Sequence, residues 1–257
     1  MDFVMQQTYF TNSLNKINDK KSRNVLVNTD HGLMIVNRFD SNEQKIGQAQ
    51  FLLDHGNSST VEAEFCLTSL KRYDPIILDV GANIGTMTTW FAKTFPVCEI
   101  YSFEPQPQIF NMLCGNLAIN NLYNVRAFNY GLGSENKTLS FFEPDYFNSS
   151  DFGTFSLIDS RVKTTDKKII VEIKTIDWFV KTFNLSRVDL IKIDAEGMDY
   201  DILLGANDTI KSFKPNIFIE HNDFTSSSFQ KIKEFFENQK YIEKVIHNNV
   251  LFISNDQ

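Results

Sequence analysis

The sequence predicts an α/β fold: a mostly parallel sheet with helices on both faces and an antiparallel hairpin at its C-terminal end. Three observations carry this. From Pro75 onward, short apolar runs alternate with segments of helical spacing over connections of a few residues, the pattern of strands joined by crossover helices. The run Ile76-Ile77-Leu78-Asp79-Val80 is continuous rather than alternating, as in a strand covered on both faces. Near the end, β-prone residues 241–246 and 250–253 flank His247-Asn248-Asn249, a turn between antiparallel strands.

The chain has 257 residues and a formal net charge of −7, with 42% hydrophobic and 22% charged residues. This is globular composition, and the length suits one α/β domain, residues 75–257, preceded by an N-terminal extension, residues 1–74. The acidic balance argues against a duplex binder, which needs a basic face. Cys66, Cys98 and Cys114 are odd in number and lack Cys-x-x-Cys spacing. A disulfide framework or thiolate zinc site is therefore not expected, and a reducing compartment is. The N-terminal residues have neither the cationic start nor the apolar core of a signal peptide, and no apolar run approaches the roughly 18 residues of a membrane span. The expected location is the cytoplasm.

Residues 25–27 and 33–36 are β-prone around a Thr29-Asp30-His31-Gly32 turn. A helix over about 44–55 should stop at Gly56, and a second should start at Ser59-Thr60-Val61-Glu62, a capping-box pattern, with Val61, Phe65 and Leu70 inward. After the first buried strand, Gly81 to Gly85 forms a turn, and Ile84, Met87, Thr88 and Phe91 recur at helical spacing. A strand at 98–103, a helix at 108–120 and a strand near 125–128 follow. Residues 139–142 and 169–173 read as strands joined by a loop, 143–168, long enough to suggest function. Then come a helix at 175–183, a strand at 188–193, one helix at 199–213, a strand at 215–219 and a helix at 226–239 with Phe229, Ile232 and Phe236 on one face. Met198, Ile202 and Leu203 should pack helix against sheet.

In such a sheet, ligands gather outside the carboxyl ends of the strands. Five polar clusters lie there: Asp79 to Gly85, Glu104-Pro105, Asn129-Tyr130-Gly131, Asp194 to Gly197, and Glu220-His221-Asn222. Gly81 and Gly85 permit a backbone path that a Cβ would obstruct, and the helix that follows offers N–H groups to an anionic ligand. The spacing Gly81-Ala82-Asn83-Ile84-Gly85-Thr86 lacks the middle and last glycines of a dinucleotide fingerprint, and no Gly-Lys-Ser/Thr follows for a P-loop. Asp79 at a strand tip suits an ammonium, and Glu104, about one βα unit later, suits two ribose hydroxyls. An adenosine bearing an amino acid meets both demands. Strand alternation puts Lys192 and Asp194 on one face, so a buried Lys192 should pair with a carboxylate. An oxygen-rich metal site from Asp194, Glu196, Glu220 and His221 is the less favoured reading, and no metal is expected.

These segments resemble the FkbM-type methyltransferases, within the S-adenosylmethionine-dependent class I, Rossmann-like fold. The likeness rests on His31 to Arg38, Leu78 to Gly85, Ser102 to Gln106, Asp145-Tyr146, Phe152-Gly153, Ser156-Leu157, Leu190 to Met198 and Ile217 to Glu220. Two positions depart from the family pattern: Phe152-Gly153-Thr154, where Asn-Phe-Gly-Gly is usual, and Asp199, where Glu is usual. The resemblance implies O-methyl transfer from S-adenosyl-L-methionine to a hydroxyl of a sugar, glycan or other small metabolite. It implies cofactor contacts from Asp79, Gly81, Ala82, Asn83, Gly85, Glu104, Pro105, Asn129, Gly131 and Asp194. Catalysis would fall to Asp194, with His221 second and Glu196 supporting. The extension and the 143–168 loop would border the acceptor. An RNA ribose methyltransferase and a non-catalytic adenosyl-ligand-binding protein are the alternatives, the former disfavoured by the charge balance. No nucleic-acid partner is expected.

Overall fold

The computed structural model describes residues 22–41, 47–155, 162–221, 223–237 and 239–255. The polar residues before Ser22, the start of the expected 44–55 helix, Ser156-Leu157 and Asn222 lie outside them.

The sheet predicted from the apolar runs is present. It holds β3 (Ile76–Val80), β4 (Glu99–Phe103), β5 (Val125–Phe128), β9 (Leu190–Ile193), β10 (Asn216–Glu220), β11 (Tyr241–Ile246) and β12 (Asn249–Ser254). Their spatial order is β11-β12-β10-β9-β3-β4-β5. The five strands from β10 to β5 are parallel, and β12 pairs antiparallel with both β10 and β11. The chain runs outward from β3 through β4 to β5, then returns to β9 on the other side of β3. The crevice between β3 and β9 is thus the topological switch point, where a doubly wound sheet binds its ligand.

The connecting helices are α3 (Thr86–Thr94), α4 (Pro107–Ile119), α5 (Ile176–Thr182), α6 (Asp199–Leu204), α7 (Asn207–Phe213) and α8 (Ser227–Glu237). One face of the sheet packs Leu78, Val80, Ile191, Ile193, Ile217 and Ile219 against α5, α6, α7 and α8. The other packs Ile77, Ile100, Leu190, Phe218 and Leu251 against α3 and α2 (Thr60–Thr68).

Three expectations are corrected. The helix expected over 199–213 is two helices. Gly205 sits where a Cβ would lie 2.0 Å from the Gly133 carbonyl, and the Asp177 carboxylate accepts from the N–H groups of Asp208 and Thr209, starting α7 afresh. Ser59 has φ 60° and caps nothing with its side chain, so α2 turns Ala63, Cys66 and Leu67 inward and leaves Val61 50% exposed. Small Ala63 and Cys66 on the inward face permit close packing on α3. The 143–168 loop is shorter than expected, because the strands at 139–142 and 169–173 extend into it: β7 (Lys137–Pro144) and β8 (Thr164–Lys174) pair antiparallel in a separate sheet, with β6 (Gly131–Leu132) beside β8.

The extension forms a β1 (Asn24–Thr29), β2 (Gly32–Asn37) ribbon and α1 (Gln48–His55). Its free edge is satisfied from the end of α4: Asn116 Nδ2 donates to Ile35 O, and Asn120, just past the helix, donates from Nδ2 to Leu33 O; Asn116 Nδ2 also donates to Ile84 O in the turn before α3. Met34, Val36, Ala49 and Leu52 share a cluster with Ile109, Met112, Tyr146 and Phe152, so ribbon, α1, α4 and the long loop have one core. Among the described residues no helix is long and apolar enough to cross a membrane.

One polar row interrupts this apolar sheet at the switch point. In register, Asp79 lies beside Lys192. The Lys192 ammonium is 3.3 Å from Asp79, 3.4 Å from Asp194 and donates to Gly81 O at 2.8 Å, and the Thr88 hydroxyl donates to Asp79. Both Asp79 and Lys192 are buried. Replacing Lys192 with Met would leave the Asp79 carboxylate without its counter-charge, at a cost of about 3–5 kcal/mol. Chemical denaturation should show that loss for Lys192→Met and substantial recovery in the Asp79→Asn/Lys192→Met double variant.

Candidate active site

The switch-point crevice is a cleft of about 600 Å³ whose walls include Gly81, Asn83, Glu104, Pro105, Gly131, Asp194 and Glu196. Four separate strand ends or following turns supply these residues, so the strand-end rule brings together most of what the sequence nominated. Gly81 has φ 73°, and a Cβ there would lie 1.8 Å from the Asp194 carbonyl oxygen. Only glycine allows β3 and β9 to approach this closely while leaving the cleft open.

Glu104 forms the opposite wall. Its Oε2 accepts from Asn83 N at 3.0 Å and its Oε1 from Gln106 N at 2.8 Å. Burial pushes its pKa up to about 7, against those two donors. Each oxygen retains acceptor capacity, so the carboxylate is oriented but not used up. Asn129 stands behind this wall, donating to Glu104 O and Pro105 O.

Other nominated residues are placed elsewhere. Asp79 lies beneath the cleft, held by Lys192 and Thr88, and does not face a ligand ammonium. The N–H groups of the turn itself are engaged within the protein: Gly81 N and Ala82 N donate to Phe103 O, Asn83 N to Glu104 and Gly85 N to Ala82 O. Gly85 caps α3 at φ 90° against Leu113, away from the cleft. His221 lies in a neighbouring pocket whose wall also includes Asp194 and Glu196. Its Nδ1 is 3.6 Å from Asp199, its Nε2 is 2.9 Å from Ser226 Oγ, and its ring stacks on Phe229. Met198 both packs in the core and touches the cleft, one role more than the sequence gave it.

Beyond Gly81 and Asp194 the cleft opens into a cavity of about 1350 Å³. The extension contributes Gln48, Phe51, Ser58 and Glu62, the long loop contributes Asp151, Gly153 and Thr154, and Glu220 and Asn249 complete the far wall. Ile219 pairs with Ile193 and Glu220 with Asn249, so Asp194, Glu220 and Asn249 form the next row across the strand tips. Burial, then the charges of Asp199 and Asp79, raise Asp194 above the usual carboxylate range, with Lys192 opposing. The charge of Asp194, then burial, pushes Glu220 up to about 8. Burial works against the Lys192 ammonium, but Asp79, Asp194 and Glu220 outweigh it and keep it firmly charged. Among the described residues no group of three or more His, Cys, Asp or Glu side chains is arranged to hold a metal ion.

Two residues without a role in the sequence reading fasten the segments around the cleft. Asp40 is a buried carboxylate that accepts from Ala49 N with Oδ2 and from Phe152 N with Oδ1, joining the start of α1 to the loop. Gln106 donates to Phe152 O and accepts from Tyr146 OH. Gln106 stood within the Ser102 to Gln106 motif, a signal for its placement. Asp40 carried none, because its partners are backbone groups nine and 112 residues away.

Comparison with known proteins agrees with this architecture. A profile of the methyltransferase FkbM domain matches residues 79–243. "Methyltransferase 1" of Beauveria bassiana is 28% identical over 182 residues, covering 65% of this chain and 72% of that protein. "2-O-methyltransferase NoeI" of Sinorhizobium fredii is 26% identical over 163 residues, covering 60% and 66%. The crystal structure of methyltransferase FkbM from Methylobacillus flagellatus superposes with a TM-score of 0.52 at 15% identity, over 84% of this chain and 55% of that one, and so shares the fold. The profile spans more than half of the sequence and includes every strand of the parallel sheet except the start of β3; the chain belongs to the FkbM methyltransferase family.

Proposed function

We propose that the protein transfers a methyl group from S-adenosyl-L-methionine to a hydroxyl of a sugar, glycan or other small metabolite. The carrying observation is that Asp194 stands on the walls of both the cleft and the cavity. A donor in one and an acceptor in the other would meet at this carboxylate. The relative from Sinorhizobium fredii, a 2-O-methyltransferase by name, supports oxygen as the acceptor atom.

The residues present fit the donor. Gly81 leaves a cradle that a Cβ would fill, and Glu104 offers two fixed oxygens to a pair of ribose hydroxyls. Pro105, Gly131 and Phe155 supply apolar wall for the base. S-adenosylmethionine supplies an electrophilic methyl group bound to a sulfonium. Asp79 acts here through Lys192, fixing the tips of β3 and β9, and not by touching the ligand.

The chain's own task is to orient the acceptor and take its proton. As the hydroxyl oxygen gains its bond to the methyl carbon and that carbon's bond to sulfur breaks, the hydroxyl proton passes to the Asp194 carboxylate, whose raised proton affinity suits a base near neutral pH. A hydrogen bond from the hydroxyl to this carboxylate would also hold it in line, and alignment supplies much of the barrier reduction in such transfers. Glu196, at the same strand tip with φ 45°, borders both spaces and supports this wall. His221, engaged by Asp199 and Ser226 in the next pocket, ranks behind Asp194. The acidic cavity walls support a small acceptor over an RNA.

Two outcomes test this. Calorimetry should show S-adenosylhomocysteine binding the full chain, with Glu104→Ala weakening it roughly 10- to 100-fold. The ionised carboxylate is the acceptor for the ribose, so affinity should fall as pH drops through about 7, and Glu104→Gln should abolish that dependence; a wild-type affinity that rises on acidification would remove Glu104 from the ribose. With labelled S-adenosylmethionine and the acceptor that takes label from a panel of sugars, Asp194→Asn should lower kcat by about 10²-fold while leaving S-adenosylhomocysteine affinity nearly unchanged. Normal turnover by that variant, with His221→Gln inactive, would transfer the base to His221.

A further inference from the structure

The cavity that adjoins the cleft is unlike an ordinary polar pocket in the balance of its charges. Five carboxylates stand on its walls: Glu62, Asp151, Asp194, Glu196 and Glu220. Against them are two basic side chains. Lys192 is buried and already committed to Asp79, Asp194 and Gly81 O, and His247, mostly exposed, lies 3.4 Å from Glu62. No arginine is among the described residues that line it.

A second, independent feature points to the same chemistry. Asn249, 2% exposed and on this wall, has a buried Oδ1 that accepts no hydrogen bond. It stands beside Glu220 in the strand register. A buried carbonyl acceptor left without a donor is completed by a ligand that brings N–H or O–H groups. A phosphate or carboxylate would bring further acceptors and further negative charge to a wall with no uncommitted buried cation. Phe51, 39% exposed on the same cavity, offers one apolar surface for the face of a ring.

We propose that the acceptor is a hydroxylated amine, a sugar or similar polyol carrying a protonated amino group, held by these carboxylates with its hydroxyl toward Asp194. The proposal rests on the methyl-transfer reading and names its substrate class. The protonated nitrogen has no lone pair to compete for the methyl group, so the hydroxyl remains the nucleophile. Uronic acids, phosphorylated sugars and nucleic acids are excluded by repulsion.

The crowding also gives a substrate-linked signal. Glu220 faces Lys192 on β9, Asp194 and Glu196 beyond its tip, Glu62 on α2 and the Asn248 amide in the β11–β12 turn, and the charge of Asp194 with burial pushes its pKa up to about 8. An arriving ammonium lowers its proton affinity, so binding ejects a proton.

The test is calorimetry on the full chain saturated with S-adenosylhomocysteine, using three probes of one shape: methyl glucosaminide, methyl glucoside and methyl glucuronide. The glucosaminide should bind about tenfold or more tighter than the glucoside, and the glucuronide weakest. Its heat at pH 7 should vary with buffer ionisation enthalpy as proton release requires, and Glu62→Gln should narrow the preference. Equal affinities, a preference for the glucuronide, or no binding by any of the three overturns the proposal. Failure of S-adenosylhomocysteine to bind at all overturns the reading of the cleft instead, so the two failures are distinct.

Discussion

Lys192 spans the point where the chain's path through the sheet reverses, and the geometry of the site depends on where its ammonium is held. The chain must bring β3 and β9, 110 residues apart in sequence, to a fixed separation at their tips. Backbone pairing sets the distance between the strands and burial of their faces specifies the register, leaving only shifts smaller than a residue. A buried ammonium held by Asp79 on one strand, Asp194 on the other and the Gly81 carbonyl tolerates fewer, because each displacement exposes a charge to an apolar interior. Glycine at position 81 is the complement of this device, since the close approach it permits is what puts Gly81 O within reach of Lys192.

The cover of the site is held by a similar logic, using single polar side chains as junctions between distant segments. Asp40 joins α1 to the long loop, Gln106 joins the loop to the wall that carries Glu104, and Asn116 joins the β1–β2 ribbon to α4 and the Gly81–Gly85 turn. Burial raises Asp40 to about 6 even though two backbone N–H groups favour its ionised form. The extension is therefore fastened to the loop through groups whose bonds run across the core, and both contribute to the cavity. This supports the view that the extension and loop select the acceptor while the sheet supplies the donor side.

Much of this was legible in the sequence because parallel sheets write themselves as short apolar runs with polar tips. The strand order was not needed to nominate Gly81, Glu104, Gly131 and Asp194, only the rule that strand ends converge. Reasoning by strand alternation also foresaw that Lys192 would need a carboxylate. It did not identify Asp79 as the partner, since that depends on the register between β3 and β9, which no local pattern encodes. The same blindness assigned Asp79 to the ligand and left Asp40 without a role. The split of the 199–213 helix was hidden for a related reason: the helical spacing is continuous, and the interruption comes from Asp177 and Gly133, both brought there by tertiary folding.

The ionisation of Asp194 draws these strands together. A base for a hydroxyl needs a proton affinity well above that of an ordinary surface carboxylate, yet must be ionised often enough to act. Burial and the nearby charges of Asp199 and Asp79 push Asp194 toward holding a proton, and Lys192 pulls it back. Glu220, in the adjacent register position, is pushed up in turn, first by the charge of Asp194 and then by burial. A cation entering the cavity would shift both carboxylates toward ionisation at once. On the proposed reading, the base is least ionised when the cavity lacks its ligand and most ionised when a hydroxyl is present to be deprotonated. Substrate charge and catalytic readiness become one electrostatic quantity, set by five carboxylates and a lysine that never leaves the sheet.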